Sequence, residues 1–374
     1  MIEKGTNNLQ VRNTNKKRII NLLYHKNGMT KQDIAQTLGL SLPTVSQILK
    51  ELFEHGLAKE GGTLASSGGR KPVINTLIYD AKLSVGVEIT QNHIRLVLID
   101  LAGNVLYHRR LREHFTNSEE YFKRTGKLIE QFLSENYVDK NKLLGVGIAV
   151  PGIVQKQKGI LEFMPTLGVK NLPIKMLTQY IPYHVEIDNE ANLAGFAEIW
   201  SMEYLNDAVF LSLNKGVGGA IMVNDKVYNG FNCRAGEFGH MTIVKDGKKC
   251  TCGKNGCFEA YCSTNVLTNN EFTDVDDFFS AIDKGNKQCI KRLETYLDYL
   301  AVGINNIRMI FDTDIIIGGD IDQYIEKYID QLTKRLYDRN SFGDETNYLH
   351  ISKYGGMASA VGAALLLVDN FLDI

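Results

Sequence analysis

The feature that most constrains this chain is a histidine followed by a tight cluster of cysteines. Four of the six cysteines fall within thirteen residues, from Cys250 to Cys262. His240, Cys250, Cys252 and Cys257 follow the spacing His-x9-Cys-x-Cys-x4-Cys. One imidazole and three thiolates complete a tetrahedral zinc shell and leave no position open for water. The spacing therefore predicts a structural Zn²⁺ that fixes a loop and does no chemistry itself.

Two glycines lie inside this cluster and favour a tight fold around the metal. Gly253 and Gly256 can adopt backbone conformations that other residues avoid. The alternative is a set of free buried cysteines, because disulfides are disfavoured in the cytosol. Cys262 lies beyond the pattern and is expected to be a core residue.

Length and composition indicate an ordinary globular protein of more than one unit. The chain has 374 residues, 44% of them hydrophobic and 23% charged. No uninterrupted apolar run approaches the ~20 residues that cross a bilayer. The polar segment 1–8 lacks the apolar core of a signal peptide. We expect a cytoplasmic protein that has no membrane partner.

Charge is distributed unevenly along the chain. Residues 1–79 contain eleven basic and five acidic residues, a net charge of +6, whereas residues 80–374 carry −7. A basic head on an acidic body suggests that only the head meets a polyanion. A solvated basic surface remains the simpler alternative.

The head shows the pattern of a helix-turn-helix. Thr30 followed by Asp33 resembles a capped helix start, and Gly39 ends that short helix. Ser41 caps a second helix, whose apolar residues recur at helical spacing. A helix, a glycine turn and a second helix form the plan that places a recognition helix in the DNA major groove. A helical hairpin inside a larger bundle is the alternative.

Small hydroxyl and amide side chains on the outer face of the second helix suit contacts with base edges and phosphates. The residues predicted to bind double-stranded operator DNA are Ser41, Leu42, Pro43, Thr44, Ser46, Gln47 and Lys50. Residues 57–79 are predicted to form two short strands, a winged extension. Arg70 and Lys71 lie in a glycine-flanked stretch that suits a narrow minor groove. A flexible linker with incidental charge fits that stretch nearly as well.

The remaining residues alternate between strands and helices. Three strand-like segments open the body at 84–89, 94–100 and 105–110, and further strands and helices follow. This alternation predicts an α/β body of two lobes. The predicted domains are a winged helix-turn-helix over 1–79 and an α/β body over 80–374, with the zinc loop at 236–260.

The block Gly236-Glu237-Phe238-Gly239-His240, together with the cysteines and Glu259, resembles the signature of the ROK family of repressors, open reading frames and sugar kinases. Residues 146–152, 187–192, 216–219 and 317–319 resemble further segments of that family, so the resemblance spans nearly the whole chain. It implies an actin-like, hexokinase-like pair of lobes with a sugar cleft between them. A winged-helix head is what distinguishes the family's repressors from its kinases.

The resemblance implies a sugar site as well. Carboxylates and amides suit pyranose hydroxyls because each can bridge two of them. By resemblance, the effector site consists of Asn189, Glu190, Glu237, His240 and Glu259. His240 would hold the metal with one ring nitrogen and face the sugar with the other.

Departures from the family pattern predict that the chain is not an enzyme. Glu190 stands where the kinases have a catalytic Asp, and misplacing a base by ~1 Å costs about 100-fold. Residues 88–92, Glu-Ile-Thr-Gln-Asn, replace the phosphate loop Asp-x-Gly-Gly-Thr and lack both glycines. In the second glycine-rich loop, which includes 216–219, Asn214-Lys215 stands where the family's kinases usually have Gly-Thr. Positioning of the γ-phosphate, on which phosphoryl transfer depends, is therefore damaged.

The sequence as a whole predicts a sugar-responsive repressor that binds DNA as a homodimer or a dimer of dimers. Family repressors respond to xylose, to glucose or to amino sugars, and the Asn189-Glu190-Ala191-Asn192 variant is similar to that of xylose repressors. An active sugar kinase with a DNA-binding head is one alternative. A body regulated by protein docking is the other.

Overall fold

The structure of the chain, a computed structural model, describes residues 8–63, 72–202, 205–224, 226–342 and 347–372. Arg70 and Lys71, the predicted minor-groove contacts, lie outside these residues. The described elements form a small head, built on one three-stranded sheet, and a larger body, built on two five-stranded sheets and a small three-stranded one.

The head contains three helices and three short strands. They are α1 Asn8–His25, β1 Met29–Thr30, α2 Lys31–Leu38, α3 Leu42–Glu54, β2 Ala58–Thr63 and β3 Val73–Leu77. Thr30 and Asp33 cap each other's backbone amides at the start of α2, and Gly39 ends the helix with φ +64°. The antiparallel sheet β1-β3-β2 supplies the predicted wing. The winged helix-turn-helix predicted from sequence is therefore confirmed.

The first lobe of the body is a mixed sheet covered by a helix. Its elements are β4 Leu83–Ile89, β5 His93–Asp100, β6 Val105–Arg112, α4 Glu119–Glu135, β7 Leu143–Val150, β8 Ile153–Gln155, β9 Ile160–Met164, β10 Val169–Pro173, α5 Ile174–Thr178 and β11 Val185–Asn189. The large sheet has the order β11-β7-β4-β5-β6, in which β11, β7 and β4 run parallel. Strands β8 to β10 form a separate antiparallel sheet that the sequence pattern did not predict.

The second lobe begins at the end of β11. Its elements are α6 Glu190–Ser201, β12 Ala208–Leu213, β13 Val217–Val223, β14 Lys226–Val227, α7 Glu259–Cys262, α8 Thr264–Thr268, α9 Val275–Asp283, α10 Lys287–Phe311, β15 Asp314–Gly318, α11 Asp322–Ile325, α12 Ile329–Tyr337, β16 Leu349–Ile351 and α13 Ala358–Leu372. Its sheet has the order β14-β13-β12-β15-β16. The two-lobed α/β body predicted from sequence is confirmed.

Helices α6 and α13 form the middle of the body. Helix α13 packs on β4, β5 and β7 of the first sheet, while α6 packs on β12 and β13 of the second. A Cβ atom at Gly86 or Gly147 would lie 1.8 Å from a backbone oxygen of α13, so only glycine permits this contact. The two sheets are therefore joined through a closely packed helix pair.

The stretch Gly355–Leu372 is long and apolar enough to cross a membrane, judged by length and composition alone, and 56% of it is buried. Its packing against β4, β7 and α6 accounts for that apolar character, since a helix that is covered on several sides must be hydrophobic on all of them.

Candidate functional site

A cleft of about 520 Å³ opens at the carboxyl ends of β7 and β11, beside the glycine loop that leads into β13. This position, outside the carboxyl ends of parallel strands, is where open α/β sheets bind ligands. Its volume lies in the range of small-molecule sites. The cleft brings together all five residues of the predicted effector site, which are Asn189, Glu190, Glu237, His240 and Glu259.

Asn189 fixes the start of α6. Its Oδ1 accepts from the backbone amides of Ala191 and Asn192 at 2.9 and 3.0 Å, and its Nδ2 donates to the carbonyl of Gly152 at 2.8 Å. Because both lone pairs of Oδ1 are used, Asn189 can offer a ligand only the second N–H of its amide. The main role of the Asn189 side chain is therefore to hold the backbone of the cleft wall, and it can donate only one hydrogen bond to a ligand.

Glu190, the first residue of α6, lines both the cleft and the adjoining cavity towards β4. Burial raises the pKa of its carboxyl to about 8, and the nearby acids Glu88 and Asp320 reinforce the shift. Its side chain makes no hydrogen bond with any other residue that the structure describes. At neutral pH Glu190 is largely a protonated acid, which can donate one hydrogen bond and accept others.

Glu259 connects the cysteine loop to the glycine loop. One carboxylate oxygen accepts from the backbone amide of Val217 at 3.2 Å, and the other accepts from the Thr251 hydroxyl at 2.7 Å. Glu237 and His240 also line the cleft and are exposed to solvent. A ligand entering the cleft would therefore meet the exposed Glu237 and His240 side chains, together with a Glu259 carboxylate that already has protein partners.

The four predicted metal ligands lie together. Their donor atoms all fall within 4.8 Å of one another. The sulfurs of Cys252 and Cys257 are 3.7 Å apart, and Nδ1 of His240 is 3.9 Å from the sulfur of Cys250. Thiolates bound to one tetrahedral Zn²⁺ lie roughly 3.8 Å apart, given a Zn–S bond of about 2.3 Å. The residues therefore fit a metal ion.

Backbone geometry explains how the chain brings these ligands together. Gly256 adopts φ +79°, and a Cβ there would lie 1.8 Å from the carbonyl of Val244. Bridges between Thr242 and Cys257 and between Lys249 and Asn255 close the loop. Cys262, predicted to be a core residue, is fully buried beside Tyr296. The positions of the glycines in the sequence therefore let the loop turn tightly enough to bring the four ligands together.

The turn that replaces the family's first phosphate loop is closed on itself. The Thr90 amide donates to the carbonyl of His93 at 2.9 Å, and the Thr90 hydroxyl accepts from the His93 amide at 3.1 Å. The carbonyls of Gln91 and Asn92 accept from the segment after β6. The Thr90 and His93 amides, which in an open glycine loop could cradle a phosphate, already have protein partners.

Two further contacts fill this side of the cavity, and sequence reasoning missed both. Arg95, opposite Glu88 on β5, pairs with that carboxylate and also donates to the carbonyl of Gly356. The Asn214 side chain accepts a hydrogen bond of 2.8 Å from the Asp320 amide, which links the loop before β13 to the loop after β15. About 270 Å³ remains here. Strand alternation could have shown that Arg95 faces Glu88, but not that it reaches Gly356.

The recognition helix α3 has an apolar inner face and a polar outer face. Val45, Ile48, Leu49 and Leu52 are buried. Of the residues predicted to contact DNA, Ser41, Leu42, Pro43, Gln47 and Lys50 are exposed, while Thr44 and Ser46 are partly covered. The Ser41 hydroxyl also accepts from the Thr44 amide and so caps the helix. This surface exposes the Gln47 amide and the Lys50 ammonium group, the latter 3.9 Å from Glu54, on the side that would face a duplex.

A DNA-reading head on a two-lobed body with a ligand cleft defines the class of DNA-binding regulators. Residues 12–59 match the winged helix-turn-helix DNA-binding family, and residues 84–370 match the ROK family. The chain belongs to the ROK family.

Similar proteins include both regulators and kinases. The xylose repressor of Bacillus spizizenii is 28% identical over 97% of each chain. A glucokinase of Halalkalibacterium halodurans is 26% identical over 64% of this chain and 80% of its own. Among solved structures, a ROK family transcriptional regulator described as a homologue of the Escherichia coli MLC protein superposes with a TM-score of 0.79, at 23% identity, over 97% of this chain and 98% of its own. The regulators match head and body together.

Proposed function

We propose that this protein is a sugar-responsive transcriptional repressor that binds operator DNA through α3 and the wing. The observation that carries the proposal is the combination, in one chain, of an exposed recognition helix and a cleft lined by hydrogen-bonding side chains. Relatives that share both parts along their whole length are named xylose repressors. The boundary between the two parts is proposed to lie near residue 80.

The effector is proposed to be a neutral monosaccharide, with xylose first and glucose or an amino sugar as the alternatives. Glu237, His240 and a protonated Glu190 offer acceptors and donors around one cleft, with Asn189 and Glu259 supporting the walls. Each hydroxyl of a sugar both donates and accepts, so a mixed set of donors and acceptors of this kind can satisfy it.

We infer that the body has no sugar kinase activity. Thr90 and His93 use their amides internally, Arg95 is paired with Glu88, and Asn214 ties two loops together. ATP would have to break these contacts to place its γ-phosphate, and phosphoryl transfer depends on that placement.

The metal is proposed to be a structural Zn²⁺ held by His240, Cys250, Cys252 and Cys257. Three thiolates and one imidazole are typical of closed zinc sites. When bound, the ion supplies a fixed cross-link, which holds His240 against the cleft and keeps the Glu259 wall in place.

Two further parts of the proposal follow from DNA recognition. A homodimer, or a dimer of dimers, would place two recognition helices on half-sites about 34 Å apart. A protein that reads operators in bacteria works in the cytoplasm, where its cysteines also remain reduced. Arg70 and Lys71 are proposed as minor-groove contacts.

A thermal-shift screen of the full chain tests the sugar site. D-xylose, D-glucose and N-acetylglucosamine would be added separately, because a ligand specific to the folded state stabilises it by about 2.7 kcal/mol at 100 times its Kd. We expect at least one sugar to raise the Tm, and Glu237→Gln to weaken that shift. No shift with any of these sugars would contradict the proposal.

A coupled assay for ADP release, run with the same sugars and Mg-ATP, separates the repressor from a kinase. We expect no turnover above the rate without sugar. Steady ADP release that depends on a sugar would contradict the inference and favour an active ROK kinase with a DNA-binding head.

A further inference from the structure

One helix has one end in the cleft and the other on the DNA-binding head. Helix α6 starts at Glu190 in the cleft wall and ends beside α1. From Glu190 to Trp200 it spans about 15 Å, at 1.5 Å per residue. There the indole Nε1 of Trp200 donates a hydrogen bond of 2.8 Å to the Tyr24 hydroxyl, on α1 of the head.

The contact between α6 and the head is a packed interface. The Tyr24 ring lies edge-on to Trp200 and to Tyr79, with centroids 5.8 and 6.1 Å apart. Tyr24 is half-buried, and burial raises the pKa of its hydroxyl well above the usual value. The buried Leu23 of α1 and Ile199 of α6 belong to one continuous apolar cluster. A shift of α6 would therefore disturb the packing of the head.

Helix α6 is held firmly along its length. The buried carboxylate of Glu198 accepts from the Ser352 hydroxyl at 2.6 Å and from the amides of Lys353 and Tyr354 at 2.7 and 3.1 Å. A Cβ at Gly362 of α13 would lie 1.8 Å from the carbonyl of Leu193, so the two helices touch backbone to backbone. Such close packing resists local bending, so we expect any displacement of the helix to involve its whole length.

We propose that α6 carries the sugar signal from the cleft to the head, and that Trp200 and Tyr24 are the positioning residues that couple the two. The inference rests on the proposed function. Sugar contacts at Glu190 and beside Asn189 would bias the position of the α6 start. The Trp200–Tyr24 contact would transfer this change of position to α1, the first helix of the head. The cleft and the head are then linked through one rigid element that contacts both, which is one physical route for coupling between distant sites.

Trp200 is the only tryptophan in the chain, so its emission reports on this interface. Full-length protein would be titrated with D-xylose and D-glucose, and binding measured in parallel by calorimetry. Because the indole lies about 15 Å from Glu190 along the helix axis, a bound sugar cannot touch it. We expect the emission to change with the same half-saturation as the calorimetric signal. Binding heat with an unchanged emission would overturn the inference.

Variants that remove the hydrogen bond test the coupling itself. Tyr24→Phe deletes only the hydroxyl that accepts it, and Trp200→Phe removes the donor but also replaces the indole by a smaller ring. Tyr107→Phe, on the exposed edge strand β6, is the matched control for Tyr24→Phe. DNA affinity would be measured on a duplex that the wild-type protein selects from a random pool. We expect sugar Kd within twofold of wild type in all variants. The sugar-induced change in DNA Kd should fall at least threefold in Trp200→Phe and Tyr24→Phe only.

The two failures are distinguishable. A full sugar response in both interface variants would overturn the coupling role of α6 and leave the repressor intact. Calorimetric silence of wild type with every sugar would overturn the proposed function and this inference with it. The double variant gives a further test, since residues acting through one contact are non-additive and the double loss should equal either single loss.

Discussion

Glu190 stands where the family's kinases have a catalytic Asp, but its surroundings in the structure raise the pKa of its carboxyl to about 8. Its place in the Asn189-Glu190-Ala191-Asn192 block could be predicted, and so could its position in the cleft. Its protonation could not, because that depends on burial and on Glu88 and Asp320, which lie about 100 residues or more away in the chain. Arg95 was missed for a similar reason, since its partner Gly356 comes from the other end of the sequence.

The raised pKa of Glu190 makes stability depend on pH. The folded chain keeps this proton up to about pH 8, whereas the unfolded chain releases it near the ordinary pKa of 4.5. The carboxyl therefore costs the folded state increasing stability as pH rises from about 4.5 to about 8, and no more above that. We expect Glu190→Gln to flatten this part of the profile and to be more stable than wild type at pH 8.

Urea unfolding at pH 5.5 and pH 8 measures the free energy of unfolding for both proteins. The exposed Glu120→Gln serves as the control, and it should follow the wild-type profile. A Glu190→Gln variant whose stability falls with pH as steeply as wild type would show that Glu190 is ionised in the folded chain at neutral pH.

Elements that are determined by residues close together in the sequence were the easiest to predict. The caps of α2 and α3 depend on residues three positions apart, and the paired wing strands and the ligands of the cysteine loop lie within about twenty positions of each other. Strands β8 to β10 were not predicted, because they are only three to five residues long and are separated by turns at Gly159 and Gly168. Short strands of that kind give little periodic signal.

The cysteine loop gives a prediction about metal content. We expect one zinc per chain by atomic absorption, lost in Cys252→Ser, because removing one thiolate opens a closed shell. The Tm should fall by several degrees as the loop comes apart. Cys233→Ser, which changes a cysteine outside the cluster, should keep its zinc. Full zinc content in Cys252→Ser would contradict the assignment of ligands.

The outer face of α3 gives a prediction about DNA. Lys50 is exposed, and its contact with Glu54 is a loose 3.9 Å, so Lys50→Ala should leave stability nearly unchanged. If the ammonium contacts a phosphate, the variant binds all sequences more weakly and its salt slope falls by about 1. Gln47→Ala should instead relax the preference at one base, at a cost of about 1–3 kcal/mol. Fluorescence anisotropy across salt concentrations separates the two, and equal effects of both changes would contradict these roles.

At the scale of the whole molecule, the fold class and the order of the domains could be predicted from the sequence, but the contact between the head and the body could not. The contacts of Tyr24 with Trp200 join residues 176 positions apart, and no periodicity reports such a pairing. The apolar cluster that runs from α1 through α6 to α13 makes the head part of the body's packing. A regulator built in this way can respond to a ligand as one unit.

The most direct test of the account is the affinity of the full chain for its selected operator, with and without saturating D-xylose, by fluorescence anisotropy. Coupling between two sites typically amounts to 1–3 kcal/mol, or about 5- to 150-fold in affinity. We predict a change in operator Kd of at least fivefold. An operator Kd that stays the same while calorimetry shows the cleft filled with sugar would contradict the account.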